Sequence, residues 1–344
     1  MEQLIKSTIE KIIASGVSFA DVRITGTDYE GIYFQNGFLR DYSSSKDSWA
    51  IGIRVLINGA WGFAGSMNLD PATIDKLITS ARNNAIQGSK FMRKAVEFPA
   101  LPPTVASYFH TPEINPFEMD KEEKLNYLAS LATAIKPQGK IVHSYVGTEF
   151  SRQEKFYINT EGSYSHTVFY NNLPHMSVIA ADGNGIQSRT WPGDMSAGRA
   201  GFELLHKQRF TENTERIMKE ATDLLSAPVI TEDKADIIIG GGHLALQLHE
   251  SVGHATEADR IFGMEISYAG KTFVKPSMLG NYRYGSEIVN IYSDSTDPRG
   301  MGYHPLDDEG VPGKRVDIIK DGILKDQQTS RHIAHMLGWS LHQT

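Results

Sequence analysis

The chain has 344 residues, of which 40% are hydrophobic and 22% are charged, and its net charge at pH 7 is −7. This composition is typical of a globular protein with two or three domains, and the absence of a dense Lys/Arg run argues against a nucleic-acid-binding surface. The sequence contains no cysteine, which excludes disulfides, cysteine-zinc sites and thiol nucleophiles within this chain.

The N-terminal segment predicts a helix followed by an antiparallel sheet. The helix covers about residues 2–15 and lacks the unbroken apolar core of a secretion signal. No later run of about 18 apolar residues predicts a membrane span, so we expect a cytoplasmic protein. Alternating apolar and polar residues, separated by Asn-Gly turns, predict strands at 20–24, 31–34 and 49–55. Asp70 and Pro71 then predict the cap and first turn of a second helix.

The middle of the chain repeats this order after a proline-rich stretch at 96–117, which predicts a linker. A helix is expected from about Met119, and helical stretches near 200–206 and 212–225 close the segment. Between them the pattern predicts strands around 141–148, 155–159, 164–170 and 176–181. We therefore predict an N-terminal α+β domain at 1–95, a linker at 96–117, a central α+β segment at 118–228 and a third domain at 229–344.

The third domain is predicted to be rich in strands around one apolar helix. Residues 235–239, Ala-Asp-Ile-Ile-Ile, predict a buried strand, which three glycines at 240–242 interrupt. An apolar helix follows from His243 to about Ala258. Further strands are expected at 288–292 and 315–319, with a turn at 320–322. The predicted fold class is α+β throughout.

The apolar helix carries His249-Glu250-Ser251-Val252-Gly253-His254. Two imidazoles are good zinc ligands, and the carboxylate after the first can act as a general base, as in HExxH enzymes. Here the histidines are five residues apart, which places them roughly 140° apart around a regular helix. A single metal therefore requires a local widening such as a π-type turn, and Gly253 makes that distortion cheaper. The alternative is a helix with two ordinary histidines and a solvated glutamate.

Three other clusters have both a functional and a structural interpretation. The glycines at 240–242 could cradle a phosphate, but they fit no phosphate-loop pattern and are better explained by a tight turn into the helix. The acidic block 307–313, Asp-Asp-Glu-Gly-Val-Pro-Gly, could hold a metal, orient a histidine or bind substrate, and composition alone favours an acidic surface loop. Asp294-Ser295-Thr296-Asp297 resembles part of a calcium loop and is interpreted as a turn.

Taken together, these motifs resemble those of the TldD/PmbA family, metallopeptidases once described as modulators of DNA gyrase. The resemblance rests on the three glycines, on the HExxxH run followed by Glu257, on the 307–313 block, and on the N-terminal stretch from Ala20 to Ala64. It extends over the whole chain in order. The presence of HExxxH places the chain nearer the TldD side than the PmbA side.

The resemblance implies a zinc-dependent peptidase that hydrolyses unfolded or flexible peptides. In it, His249 and His254 ligate zinc and Glu250 is the general base. It also implies a homodimer, or a heterodimer with a PmbA-like subunit, whose subunits enclose a cleft. The competing hypothesis is a non-catalytic, peptide-binding scaffold subunit of such a dimer.

One departure from the family concerns the third zinc ligand, which in the family is a late cysteine. This chain has no cysteine, and the family pattern leads us to expect a third domain that is incomplete at its C-terminal end. Glu257, His304 and Asp307 are alternative third ligands, among which the sequence does not select.

Overall fold

The computed structural model describes residues 1–183, 185–193 and 196–337. The helices are Glu2–Ala14 (α1), Pro71–Ser89 (α2), Lys121–Ala134 (α3), Glu203–Lys207 (α4), Phe210–Leu224 (α5), Gly241–Leu248 (α6), Ala258–Ile261 (α7) and Arg331–Ala334 (α8). A π-helical turn at His249–Gly253 and a 3₁₀ turn at His254–Thr256 join α6 to α7, and further 3₁₀ turns lie at Pro276–Met278 and His335–Leu337.

The strands form two sheets. Their bounds are Phe19–Gln35 (β1), Phe38–Ile57 (β2), Ala60–Ser66 (β3), Val105–Phe109 (β4), Ile141–Asn159 (β5), Tyr164–Asp182 (β6), Gly185–Trp191 (β7), Ile291–Asp294 (β8), Arg315–Lys320 (β9) and Ile323–Leu324 (β10). The larger sheet has the order β3-β2-β1-β5-β6-β4, with β7 also paired to β6, and the smaller has the order β10-β9-β8. The predicted α+β class is confirmed.

The first and central segments share the larger sheet. Strand β1 pairs antiparallel with β2 on one side and with β5 on the other along most of its length. The strands predicted separately at 20–24 and 31–34 are therefore one strand of 17 residues. In the polar stretch between the two predicted strands, the backbone N–H and C=O groups of β1 find hydrogen-bond partners in the strands on either side. The register of the β1–β2 pair shifts between Thr27 and Tyr29.

Two apolar cores cover this sheet. Helices α1 and α2 pack on one part, where Ile5 and Ile74 join Val22 in a buried cluster. Helices α3 and α5 cover another part, where Leu128 and Ile217 are buried. The predicted cap of α2 is confirmed, because Asp70 accepts a hydrogen bond of 2.9 Å from the backbone N–H of Thr73.

The stretch predicted as a linker contains a strand that the sequence analysis did not predict. Strand β4, within 96–117, pairs parallel with β6 and forms an edge of the larger sheet. An edge strand bonds on one side only, so flanking prolines such as Pro103 and Pro112 do not interrupt the sheet. The proline density therefore marks an edge of the sheet as well as a connection.

The C-terminal region is built around a small core of Val252, Val274, Ile318, Ile319 and Leu324. The strand predicted at 315–319 is confirmed as β9, and the one predicted at 288–292 begins later, at Ile291. The predicted turn after β9 is also confirmed, with positive φ angles at Asp321 and Gly322. Within the described ranges, no helix is long and apolar enough to cross a membrane.

The buried strand predicted at 235–239 is wrong. These residues have no regular secondary structure, and Ile237 and Ile238 are 82% and 99% exposed. A strand requires a neighbour for its backbone N–H and C=O groups, and none of the described strands pairs with this stretch. Consecutive isoleucines favour an extended chain, but they do not supply the partner strand.

Candidate metal centre

Helix α6 begins in the run of three glycines. Gly240 is its N-cap, with an extended backbone (φ −65°, ψ 152°), and its carbonyl accepts the first helical hydrogen bond from the N–H of Leu244 at 2.9 Å. The predicted turn into a helix is found, although no strand precedes it. The glycines therefore set where the metal-motif helix begins.

The widening predicted from the five-residue histidine spacing is confirmed. Residues His249–Gly253 form a π-helical turn, in which the N–H of His254 donates to the carbonyl of His249, five residues earlier. The extra residue in the turn brings the two imidazoles to the same side of the helix. Their ring centroids lie 4.3 Å apart, with the ring planes at 70°.

The turn gathers His249, Glu250 and His254 into one group. A donor atom from each lies within 4.8 Å of the others. The Nε2 atom of His249 is 4.0 Å from Oε1 of Glu250, and the Glu250 side chain is 61% exposed. Among the residues that the structure describes, no other His, Asp or Glu joins this group.

Glu257 holds the second histidine in a defined orientation. The Nδ1 atom of His254 lies 3.0 and 3.1 Å from the two carboxylate oxygens of Glu257. An Nδ1–H that donates to a carboxylate leaves Nε2 as the lone-pair nitrogen, which is the usual arrangement behind a metal-bound histidine. In this structure Glu257 therefore orients His254, and it lies outside the group of His249, Glu250 and His254 whose donor atoms converge. Its three-residue spacing from His254 was the sequence signal for this role.

The other two candidate third ligands are engaged elsewhere. The Nδ1–H of His304 donates to the carbonyl of Gly302 at 3.0 Å. The Oδ1 atom of Asp307 accepts from the backbone N–H groups of Glu309 and Val311, each at 2.8 Å. The structure therefore uses Asp307 to close its own loop, and burial raises the pKa of its carboxyl.

An open cavity of about 380 Å³ lies against the turn and includes Glu250 in its wall. Ala255, Arg260, Lys271 and Phe273 also line it.

The sequence and fold were compared with known proteins. Residues 20–85 match the PmbA/TldA metallopeptidase domain 1, residues 114–227 match its central domain, and residues 232–342 match its C-terminal domain. The chain belongs to the TldD/PmbA family.

Individual relatives agree with this assignment. A metalloprotease of Methanocaldococcus jannaschii is 28% identical over 326 residues, which cover 95% of this chain and 69% of the relative. A zinc metalloprotease TldD homolog of Saccharolobus solfataricus is 26% identical over an alignment that covers 96% of this chain and 69% of the relative. A Thermotoga maritima crystal structure, of a candidate modulator of a DNA gyrase, has a TM-score of 0.72 at 18% identity, covering 98% and 73% of the two chains. The structural likeness shows the fold.

In this TldD/PmbA family member, the 307–313 block joins the C-terminal region to the larger sheet. Asp308 accepts hydrogen bonds from Arg23 at 3.2 Å and from Lys155 at 2.9 Å, and Arg54 donates to its carbonyl at 3.1 Å. Partial burial acts to raise the pKa of Asp308, but Lys155, Arg23 and Arg54 favour the charged form. Their effect is the larger, so the pKa of Asp308 lies below its usual value. The block is therefore an interdomain contact rather than the free acidic surface loop that composition favoured.

Arg331, which the sequence analysis missed, completes this contact. Its guanidinium is fully buried and donates to the carbonyls of Pro99 and Glu309 and to the carboxylate of Glu161. Its guanidinium carbon lies 4.0 Å from the ring centre of Phe98. We call Arg331 and the 307–309 residues the clasp. No sequence pattern distinguishes a buried arginine of this kind from an exposed one.

The remaining turn and the donor set can also be assigned. Asp294 ends β8, and its side chain accepts from the backbone N–H of Thr296 at 2.8 Å, which gives a side-chain turn over the first three residues of the segment predicted as a turn at 294–297. At the metal turn, two imidazole nitrogens and one carboxylate oxygen are the donor types that zinc prefers. Together with the carboxylate behind His254, this donor set fits a zinc ion.

Proposed function

We propose that this chain is a zinc-dependent peptidase of the TldD type that hydrolyses unfolded or flexible peptides. The observation that carries the proposal is the π-helical turn. It brings one donor atom each of His249, Glu250 and His254 to within 4.8 Å of one another, beside an open cavity. A regular helix would separate the two histidines, and π-type turns of this kind are frequent at functional sites.

His249 and His254 would hold the zinc, and Glu257 would fix the tautomer of His254. Zinc bound there would supply a Lewis acid for a peptide carbonyl and lower the pKa of a water molecule. Glu250 takes the proton of the attacking water and delivers it to the leaving amine, since it follows a metal-binding histidine as the base does in HExxH enzymes. Its exposed side chain faces the cavity from which a substrate would arrive.

Replacing the proposed base tests the mechanism. Glu250→Gln keeps the shape of the side chain and removes its basicity, so peptide hydrolysis should fall by about 10²–10⁴-fold. Glu215→Gln, an exposed residue of α5, is the matched control and should keep full activity. Bound zinc is measured alongside. If the Glu250→Gln variant keeps its zinc and loses hydrolysis, Glu250 is the base. If the variant loses its zinc, Glu250 is a ligand. Full hydrolysis in the variant would remove Glu250 from the mechanism.

The second candidate is a non-catalytic, peptide-binding subunit of a TldD/PmbA-like dimer. It is favoured by one observation: with Glu250 assigned as the base, only two imidazoles remain as zinc ligands in the group that converges among the described residues, whereas catalytic zinc usually has three protein ligands besides its water. Zinc content separates the candidates. A peptidase holds about one zinc per chain and loses activity with a chelator, and a scaffold binds peptide at the same affinity with or without zinc.

The proposed working form is a homodimer, or a heterodimer with a PmbA-like subunit. It is supported by apolar residues that the described chain leaves uncovered, namely Val229, Ile230, Ile237 and Ile238, each at least 82% exposed. Exposed apolar patches of this kind are typical of association surfaces. Sedimentation of the chain alone and mixed with a PmbA-like subunit tests this, and a monomer in both experiments would contradict it.

A further inference from the structure

The π-helical turn leaves carbonyl groups that the helical backbone does not satisfy. In a regular α-helix, each carbonyl accepts from the N–H four residues later. Here the bonding changes from five residues, at the N–H of His254, to three residues in the 3₁₀ turn at 254–256. The three carbonyls at 250–252 lie between these two patterns, and one N–H, that of Ala255, is left for them. Two of the three carbonyls therefore depend on donors other than the helical backbone.

Two side-chain hydroxyls supply these donors. The hydroxyl of Thr256, a fully buried residue, donates to the carbonyl of Val252 at 2.9 Å. The hydroxyl of Tyr284 donates to the carbonyl of Ser251 at 2.5 Å. The first donor lies only four residues along the chain, whereas the second comes from a segment 33 residues later. Tyr284 is therefore an external support for the residue that follows Glu250.

Tyr284 is itself held in place by other aromatic rings. Its ring centre lies 5.7 Å from that of Phe273 and 5.9 Å from that of Tyr282, and the last two rings are 6.1 Å apart. Aromatic pairs at these distances stabilise one another, so the hydroxyl is carried by a packed cluster. Phe273 and Ser251 also line the cavity beside Glu250. The contact between Tyr284 and the turn therefore lies at the wall of the candidate metal centre.

We propose that Tyr284 is a positioning residue that holds the π-helical turn in the form that brings His249, Glu250 and His254 together. It acts through the backbone, because its hydroxyl fixes the carbonyl of Ser251 where the helical bonding is interrupted. Its effect on zinc binding rests on the proposed function. Its effect on the turn does not, and the two effects are measured separately.

The first experiment removes one hydroxyl at a time. Tyr284→Phe deletes the donor to Ser251 and keeps the ring in the cluster. Tyr282→Phe is the matched control, because Tyr282 is half-buried in the same cluster and its hydroxyl has no hydrogen-bond partner within the described ranges. In the zinc-free chain, amide hydrogen exchange at His254 reports the bond to His249 that defines the turn. Exchange should become about three- to tenfold faster in Tyr284→Phe and stay the same in Tyr282→Phe.

Zinc affinity gives a second readout, which a general loss of stability does not change. Well below the melting temperature nearly every chain is folded, so the affinity depends on the fraction of chains in which the turn holds the histidines together. Competition with a fluorescent zinc indicator should show affinity about three- to tenfold weaker in Tyr284→Phe and unchanged in Tyr282→Phe. At saturating zinc, kcat for peptide hydrolysis should fall in Tyr284→Phe while KM stays the same, because Glu250 is misplaced and the cavity is kept.

Unchanged exchange at His254 in Tyr284→Phe overturns the proposal. An equal effect of both variants also overturns it, because the change would then belong to the aromatic cluster and not to the hydroxyl. In a chain that binds zinc, unchanged zinc affinity in Tyr284→Phe overturns the positioning role even where exchange is faster. A chain that binds no zinc, or binds it and cleaves no peptide, overturns the proposed function instead. The exchange result then decides by itself whether Tyr284 holds the turn.

Discussion

In the larger sheet, β1, β2, β5 and β6 have 17 to 20 residues each, and the central pairs are bonded along most of that length. Beside the metal turn, β8, β9 and β10 have four, six and two residues, and their core contains five buried apolar side chains. The comparison teaches that the region with the candidate metal centre has the shorter strands and the smaller core. Its position depends on a few specific contacts, chiefly the clasp and, in the proposed function, a metal.

Removing the buried arginine should give the largest effect, because it detaches the weaker region from the stronger one. Arg331→Met leaves Glu161 without its cation and the carbonyl of Pro99 without its donor. Breaking a buried pair in this way costs about 3–5 kcal/mol. Urea unfolding measures the loss. Arg299→Met, an exposed arginine paired with Asp297, should change stability by no more than about 0.5 kcal/mol, and an equal effect of both would contradict the clasp.

In the proposed function, zinc should stabilise the region that contains the π-helical turn. At a hundred times its dissociation constant, a ligand of the native state alone adds about 2.7 kcal/mol to the free energy of unfolding. Urea unfolding with and without zinc should show this gain in the unchanged chain and none in His249→Ala. His243→Ala, an exposed histidine on α6, should keep the gain. A gain that survives in His249→Ala would place the metal elsewhere.

Losing the carboxylate behind His254 should have a smaller effect. Glu257→Gln keeps the size of the side chain but weakens its hydrogen bond to Nδ1. Zinc affinity should fall by about 10–100-fold, as is usual for partners of metal-bound histidines. Competition with a fluorescent zinc indicator measures the change. Glu265→Gln, which also faces Arg260 but does not contact His254, is the control and should bind zinc normally.

The contribution of Asp308 should depend on pH. Its folded pKa lies below its ordinary value of 3.8, so its stabilising effect is present above that value and is lost as the pH falls through the folded pKa. Asp308→Asn should therefore cost about 1 kcal/mol at pH 7 and nothing once the pH is well below 3.8. A double-mutant cycle with Lys155→Met should show coupling at pH 7 only. Coupling that persists in acid would contradict an ionic contact.

Local features of both regions could be predicted from the sequence. Asp70 before Pro71 predicts a capped helix, and a spacing of five residues from one histidine to the next predicts a widened turn, because each depends on neighbouring residues alone. The general position of β9 and of the turn at 320–322 follows from the same kind of signal.

Features that depend on distant partners could not be predicted. Residues 235–239 carry a strand pattern, but a pattern does not show whether a neighbouring strand is present. Arg331 and Gln327 look like ordinary surface residues in the sequence, and only the folded chain shows that both are buried. The role of Asp308 likewise depends on Arg23 and Lys155, which lie 285 and 153 residues away along the chain.

The π-helical turn also makes the centre sensitive to chain length. Removing one residue between His249 and His254 would restore the common four-residue spacing, yet it would rotate every following residue by about 100° relative to α6. The backbone groups of Thr256 and Ala258 would then be displaced from their hydrogen-bond partner, Gln328. Substitutions at Ser251 or Val252 leave the number of residues in the turn unchanged. A one-residue deletion changes both the spacing of the histidines and the backbone contacts that hold the segment after them. The number of residues in the turn is therefore as much a part of the site as the side chains that it carries.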